Sequence, residues 1–474
     1  MTKILELPAA ELKHALAGLS KVISHKSTLP VLGHLRVEPD GNDAVWLHGT
    51  DLDTFVTCRI PLRNTEDFPA CIIPFEQLNK LVKTSKADIA LVRENDGKFN
   101  VRYPLAGSVV KTPMPTIDLA EWPTAPALKS SPSIMEDGFK TAFKQAMECS
   151  STDDSRYVLK GACLDVDQKD CHTVVATDGR HLYAANTFTF PLKQSVIVPD
   201  RKFLNWAGFM EDGPWHLAVE LDKNSNPAWI AFQSNRWRFI TKAIDGSYPN
   251  WRQVVPAEAG KSKVAFSPES VSAILGALPG LPSDHDLNLP VKLEAMKSLF
   301  TLGGRAKGSE EWTKIAVPGV QVTGPGLNVT LNRTLLSKAL RFGLTELDFY
   351  SRNEPVRFSA PGRKLVIMPI GPGNPPTTPP VAGAAPASAP SAAEPEHQTE
   401  QRTTMPAKSA NAPESSLSEA VQQIEKIKET LKAVLIECST VLAAIKSAEK
   451  EKKATDKEVE SVRTALRSVQ KVQI

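Results

Sequence analysis

Asp178 and His181 stand three positions apart, and Cys171 and His172 are adjacent. A carboxylate or a thiol beside an imidazole is the raw material of nucleophilic and general-base catalysis. Such catalysis also needs a third, orienting group and a place for the reacting atom. The chain has no GxSxG turn, no phosphate-cradling glycine loop, no HExxH and no paired Cys-Cys spacing. It is therefore expected to be no enzyme and to carry neither cofactor nor metal. Asp178 also has a counterpart, because Thr177-Asp178 recurs as Thr50-Asp51. An aspartate that accepts backbone N–H groups and closes a turn is the expectation at both places.

The elements that must carry these turns recur with them. Leu29-Pro30-Val31-Leu32-Gly33-His34-Leu35-Arg36-Val37 precedes the first Thr-Asp pair, and Val158-Leu159-Lys160-Gly161-Ala162-Cys163-Leu164-Asp165 precedes the second. A repeat this long is a duplicated domain and not a solenoid unit of about 20–50 residues. Apolar stripes at helical spacing predict helices over 8–23, 137–149 and 268–278. The last opens with Ser267-Pro268, a capping residue followed by a first-turn proline. A second helix is expected in each unit after a short apolar strand: over 75–83 after Pro74, 200–210 after Pro199, and 333–342 after Asn332. Short alternating strands with Gly, Asn and Asp turns fill the intervals. The fold class is α+β, with three tandem units that each lay two helices on antiparallel sheet.

Composition sets limits on partners. The chain has 474 residues, 41% hydrophobic content and a net charge of +3. So mild an excess does not announce a nucleic-acid binder, and any such affinity must come from how the lysines are placed. No signal-peptide pattern and no run of membrane-spanning length is present, so a cytoplasmic protein without membrane contact is expected. The six cysteines (Cys58, Cys71, Cys149, Cys163, Cys171, Cys438) are scattered, as reduced and buried thiols would be. Residues 371–415 are rich in Pro, Ala, Ser and Thr and read as a linker. Residues 416–474 regain helical periodicity through Leu417, Val421, Ile424, Leu431, Leu435, Cys438, Leu442 and Ile445, as in a coiled coil. The units preceding them are expected at 1–126, 127–257 and 258–370.

Five segments in order resemble the bacterial sliding clamp, the beta subunit of DNA polymerase III. They are Thr28-Leu29-Pro30-Val31-Leu32, Gly49-Thr50-Asp51-Leu52, residues 153–161, Val175-Ala176-Thr177-Asp178-Gly179-Arg180-His181-Leu182, and Ile244-Asp245-Gly246-Ser247-Tyr248-Pro249-Asn250-Trp251. Met368-Pro369-Ile370 is similar to the end of that family's last strand. The resemblance implies three DNA-clamp domains and a head-to-tail homodimer closed into a ring around duplex DNA. Twelve helices at ~10 Å each would then line a hole roughly 35–40 Å across. Contacts to the duplex would be loose, electrostatic and blind to sequence.

Candidate DNA-facing cations are Lys13, Lys21, Lys26, Lys80 and Lys83 in the first unit. Lys140, Lys144, Arg201 and Lys202 follow in the second, and Arg333, Lys338 and Arg341 in the third. Glu76 falls where the family often carries a basic residue. The resemblance further implies a pocket between the second and third domains, through which DNA polymerase and the clamp loader bind by short peptides. The matching positions are Leu159, Thr177, Gly179, Arg180, Leu182, Pro249, Val254, Val366, Met368 and Pro369. Arg180-His181 reverses the commoner family order of His then Arg. An alternative is a clamp-derived scaffold that assembles with an unknown partner through its C-terminal coiled coil.

Overall fold

The computed structural model describes residues 2–371, apart from residues 25, 26, 64, 66, 86, 170, 297 and 298. Lys26, the expected linker and the expected coiled coil, with Cys438, lie outside the described residues. The first unit runs β1 (Lys3–Leu7), α1 (Ala9–Leu19), β2 (His34–Asp40), β3 (Ala44–Thr50), β4 (Thr54–Pro61), β5 (Cys71–Pro74), α2 (Phe75–Thr84), β6 (Ile89–Arg93), β7 (Phe99–Leu105) and β8 (Ser108–Met114). The second runs β9 (Ser133–Ile134), α3 (Phe139–Met147), β10 (Gly161–Asp165), β11 (Thr173–Thr177), β12 (His181–Ala185), β13 (Val196–Pro199), α4 (Ala207–Met210), β14 (His216–Leu221), β15 (Pro227–Gln233) and β16 (Trp237–Lys242). The third runs β17 (Ser262–Phe266), α5 (Pro268–Ala277), β18 (Pro290–Met296), β19 (Leu299–Gly304), β20 (Thr313–Ala316), β21 (Val320–Thr323), β22 (Leu327–Asn332), α6 (Arg333–Arg341), β23 (Glu346–Phe349), β24 (Val356–Ala360) and β25 (Arg363–Ile367). One element order thus occurs three times, with β21 the single insertion.

Each unit folds into two four-stranded meanders, and the meanders of successive units fuse edge to edge. The order β5-β2-β3-β4 continues directly into β16-β15-β14-β9, and β13-β10-β11-β12 into β25-β24-β23-β17-β21. Two four-stranded sheets, β1-β6-β7-β8 and β20-β19-β18-β22, have no such neighbour.

The helices pack their apolar stripes on these sheets. α1 buries Leu12, Ala15, Leu16 and Leu19; α3 buries Phe139, Phe143, Ala146 and Met147; α6 buries Leu336, Ala339 and Leu340. Asn332 caps α6 by accepting N–H bonds from Thr334 and Leu335, as expected of Asn at that position.

One predicted helix shrinks. Residues 200–206 form successive turns, with Leu204 N–H bonded to Arg201 C=O and Trp206 N–H to Phe203 C=O, and only Ala207–Met210 is helical. The reason is aromatic packing. Phe203 stacks on Phe239 at 5.3 Å and Trp206 meets Trp237 at 5.3 Å, an arrangement that regular helical spacing does not supply.

Candidate DNA-facing surface and partner groove

Four of the expected cations gather around two adjacent concavities. Lys13, Lys21 and Lys83 line a groove of about 380 Å³ between α1 and α2, with Leu16, Ser20 and Asn79. Lys21 and Lys202 line a cavity of about 550 Å³ beside α4, with Asp200, Asn205 and Trp206. Lys21 therefore belongs to both. Burial raises the Asp200 carboxyl above the usual range, against the pull of its Asn205 hydrogen bond and of Arg201. Trp206 carried no sequence signal. Its indole fits only because Gly18 and Gly208 lack side chains: a Cβ on either would come within 2.6 Å of the ring.

The remaining cations divide. Lys144 and Arg341 are exposed, while Lys80 pairs with Glu76 one turn away at 2.9 Å. Arg201 is half-buried, with its Nε enclosed and without a hydrogen-bond partner among the described residues. Lys140 Nζ donates to Met210 C=O at 2.7 Å and Gly213 C=O at 2.8 Å, tying α3 to the end of α4. Lys338 Nζ donates to Glu148 C=O and approaches His181 Nε2 at 3.1 Å, tying the third unit to the second.

Arg333 corrects the sequence expectation. It is only 8% exposed and donates to Leu281 C=O at 2.7 Å and Pro282 C=O at 2.9 Å. Its guanidinium satisfies these two carbonyls and is withdrawn from solvent.

The turn carrying Asp178 is built as expected. Its Oδ1 accepts Arg180 N–H at 2.8 Å and His181 N–H at 2.9 Å. Asp51 Oδ1 likewise accepts Asp53 N–H at 3.1 Å and Thr54 N–H at 2.6 Å. Thr177 Oγ1 donates to His181 C=O and accepts Gly179 N–H. Gly179 takes the left-handed φ of 86° that the turn requires, whereas the matching position in the first unit is Leu52 at φ 77°.

Burial pushes the Asp178 carboxyl up, but the His181 ring and the two backbone amides prevail and hold it at about 2. His181 Nδ1 lies 2.8 Å from Asp178 Oδ1 at ion-pair distance, without an aligned N–H bond. Among the described residues no hydroxyl or thiol is bonded to this pair. Cys171 accepts from Asn186 Nδ2, and His172 Nδ1 accepts Phe190 N–H, so the adjacent Cys-His is not a dyad.

Cys58, Cys71, Cys149 and Cys163 are buried and free. Burial pushes the Cys71 and Cys149 thiols up to about 12, which leaves them unreactive. Among the described residues no group of three or more His, Cys, Asp or Glu could hold a metal ion. Among them, too, no helix is long and apolar enough to cross a membrane.

Of the expected pocket residues, Leu182, Val366, Met368 and Arg180 come together at the junction of β12 and β25. Leu182 faces Val366 across β12 and β25, and Met368 N–H donates to Arg180 C=O at 3.0 Å. Leu182 and Val366 form an apolar layer with Cys163, Val175, Ala184, Ile197 and Trp251. Leu159 is buried nearby in sequence to this layer's Val158, while Thr177, Gly179 and Pro369 are half-buried. Val254 and Met368 are 51% and 46% exposed, and Arg180 and Pro249 are exposed as well.

A strap over residues 244–255 crosses this layer. Its anchor was not foreseen: buried Asp165 accepts Trp251 Nε1–H at 2.6 Å and two Arg252 N–H bonds at 2.7 and 3.1 Å. Burial alone would raise the Asp165 carboxyl, yet Arg252 and Trp251 hold it below the usual range. A further cavity of about 550 Å³, lined by Asp165, Asp167, Ser195, Tyr248 and Pro249, shares only Pro249 with the expected pocket.

Residues 133–250 match the family model for the DNA polymerase III beta subunit, central domain. The chain is 25% identical over 264 residues to the beta sliding clamp of Salmonella typhimurium, covering 53% of this chain and 68% of that one. To the Pseudomonas putida beta sliding clamp it is 23% identical over 245 residues, covering 51% and 64%. The fold is similar to that of the C. crescentus beta sliding clamp, with a TM-score of 0.67 and 21% identity over 78% of this chain and 100% of that one. It is also similar to the DNA polymerase III beta subunit from Pseudomonas aeruginosa, with a TM-score of 0.65 and 20% identity over 78% and 100%. This chain is similar to the bacterial beta sliding clamps in its central domain and in its fold. The clamp fold accounts for the threefold element order, and the matched central domain carries the Asp178 turn and most of the strap.

Proposed function

We propose that this chain is a non-catalytic processivity clamp, with domains at 1–126, 127–257 and 258–370. Two copies close head to tail into a ring around duplex DNA in the cytoplasm. The observation that carries this reading is a pairing rule. At both internal junctions the last strand of one unit pairs with the fourth strand of the unit before it: β16 with β4, and β25 with β12. The last strand of the first unit, β8, and the fourth strand of the third unit, β20, are left as open edges. Open edges invite pairing with another chain, and an interface that repeats one rotation closes into a ring.

The rule also supplies a register. Arg36, His48, Thr57 and Arg238 sit opposite one another in one row across the first junction. Cys163, Val175, Ala184 and Lys364 do so across the second. The matching row of the third unit is Lys292, Gly303 and Lys314. Val109 is the second residue of β8, as Arg238 and Lys364 are of their strands. Lys314 therefore faces Val109 of the partner subunit. Ile315, 39% exposed, then faces Ser108 of the partner subunit.

Lys13, Lys21, Lys83 and Lys202, with Lys144 and Arg341, then meet DNA phosphates without reading sequence. Leu182, Val366, Val254 and Met368 take short peptides of DNA polymerase and the clamp loader, with Arg180 and Pro249 at the rim. Methionine suits such a surface because its side chain adapts to varied partners.

The test is a pair of cysteines, Lys314→Cys and Val109→Cys, in one full-length chain. Facing residues of antiparallel strands lie about 4.5–5.5 Å apart, within reach of a disulfide. Oxidation should yield a covalently closed dimer that stays on circular DNA in strong salt and leaves when the DNA is linearised. A chain that remains monomeric at micromolar concentration and is never retained on circular DNA refutes the proposal.

A further inference from the structure

The two internal junctions share one backbone plan and differ in what covers it. Phe55 and Ile240 face each other at the first junction where Leu182 and Val366 do at the second. Lys242 N–H donates to Asp53 C=O at 3.0 Å, as Met368 N–H does to Arg180 C=O. Lys242 thus takes the place of Met368, and Asp53 that of Arg180.

At the second junction Met368 is open, and among the described residues Arg180 makes no ion pair. At the first, Lys242 Nζ bonds Asp53 Oδ1 at 2.7 Å and lies 5.7 Å from the centre of the Trp229 ring. Leu128, like Trp229, packs on the layer formed by Phe55, Ile240, Ala218 and Ala231. Its segment is held by Glu220 Oε2, which accepts Lys129 N–H at 2.8 Å and Ser130 N–H at 3.3 Å.

We infer that the first junction is a second, latent partner groove, filled from within by Leu128 and bolted by the Asp53–Lys242 pair. The resident segment defines what the vacated site takes: an extended peptide with a leucine-like side chain, whose next two backbone amides reach the Glu220 carboxylate. The apolar floor, the edge-to-edge strand pair and the carboxylate acceptor are all in place. The floors differ in extent: Phe55 and Ile240 are joined by Ala218 and Ala231 at the first junction, where Arg36, His48 and Thr57 stand in place of the second junction's Cys163, Val175 and Ala184. The inference rests on the partner-groove reading for its class of ligand.

The experiment uses the full-length chain and a synthetic peptide of residues 124–131 with photo-leucine at position 128. Cross-links are mapped by mass spectrometry in the wild type and in a Leu128→Ala, Lys242→Met variant. Removing a half-buried leucine contact and its lid should raise labelling of β4 and β16 by about tenfold over wild type. Labelling of β12 and β25 should stay unchanged. A folded variant, judged by circular dichroism, that labels β4 and β16 no more than wild type overturns the inference. Lys242 is exposed, so Lys242→Met alone serves if the double variant does not fold, and it must also raise labelling there. Absence of label on β12 and β25 in every chain would instead count against the partner-groove reading, leaving the first-junction result to stand or fall separately.

Discussion

Replacing Asp178 by alanine removes the acceptor that shapes the turn between β11 and β12. The carboxylate holds two backbone N–H groups and the His181 ring, and its side chain is 28% exposed. Its folded pKa of about 2 lies below the ordinary 3.8. A difference of nearly two units corresponds to roughly 2.4 kcal/mol, which partial exposure reduces to about 2 kcal/mol. The sign follows from the depression. The stabilisation is present above the unfolded pKa near 4 and fades as pH falls toward 2. Urea denaturation of the full-length chain, followed through a tryptophan placed beside the turn, should find the local transition about 2 kcal/mol weaker in Asp178→Ala at pH 7. The gap between wild type and variant should narrow steadily below pH 4. Asp51→Ala is the control: Asp51 accepts two backbone amides as well, but the described contacts include no histidine, and it should lose less. A constant gap from pH 7 down to pH 2, or equal losses at Asp51 and Asp178, would refute the assignment of charge to this turn.

Other outcomes follow from the same geometry. Changing Lys13, Lys21, Lys83 and Lys202 together to alanine should flatten the salt dependence of DNA retention by up to about 3–4 in log–log slope, since each lost phosphate contact removes ~0.9. Titration of retention on circular DNA against salt reads this directly. Arg333→Ala should leave that slope unchanged while costing about 2–3 kcal/mol in thermal or urea stability, because two buried carbonyls lose their donor. Leu52→Gly should raise stability by about 1 kcal/mol in urea, because a leucine held at φ 77° gives way to the residue that the equivalent turn already uses.

The legible parts of this protein are those written in local pattern. The α1, α3, α5 and α6 stripes, the cap at Ser267, and the Thr-Asp turns each follow from spacing or hydrogen-bonding chemistry within a few residues. The convergence of Leu182 with Val366 followed from resemblance, because nothing local to either residue announces the other. The shortened helix before Met210, the Trp206 seat between Gly18 and Gly208, and the Asp165 anchor under the strap had no local signal. Each depends on a side chain meeting a surface that is remote in sequence.

Charge divides in the same way. The sequence alone places lysines and arginines on helices, because helical periodicity is a property of neighbours along the chain. Whether a cation faces outward, like Lys13 and Lys83, or turns inward to cap carbonyls, like Arg333 and Lys140, is decided by tertiary packing. A guanidinium or ammonium goes where buried acceptors are left unpaired, and those acceptors exist only once the sheets have joined.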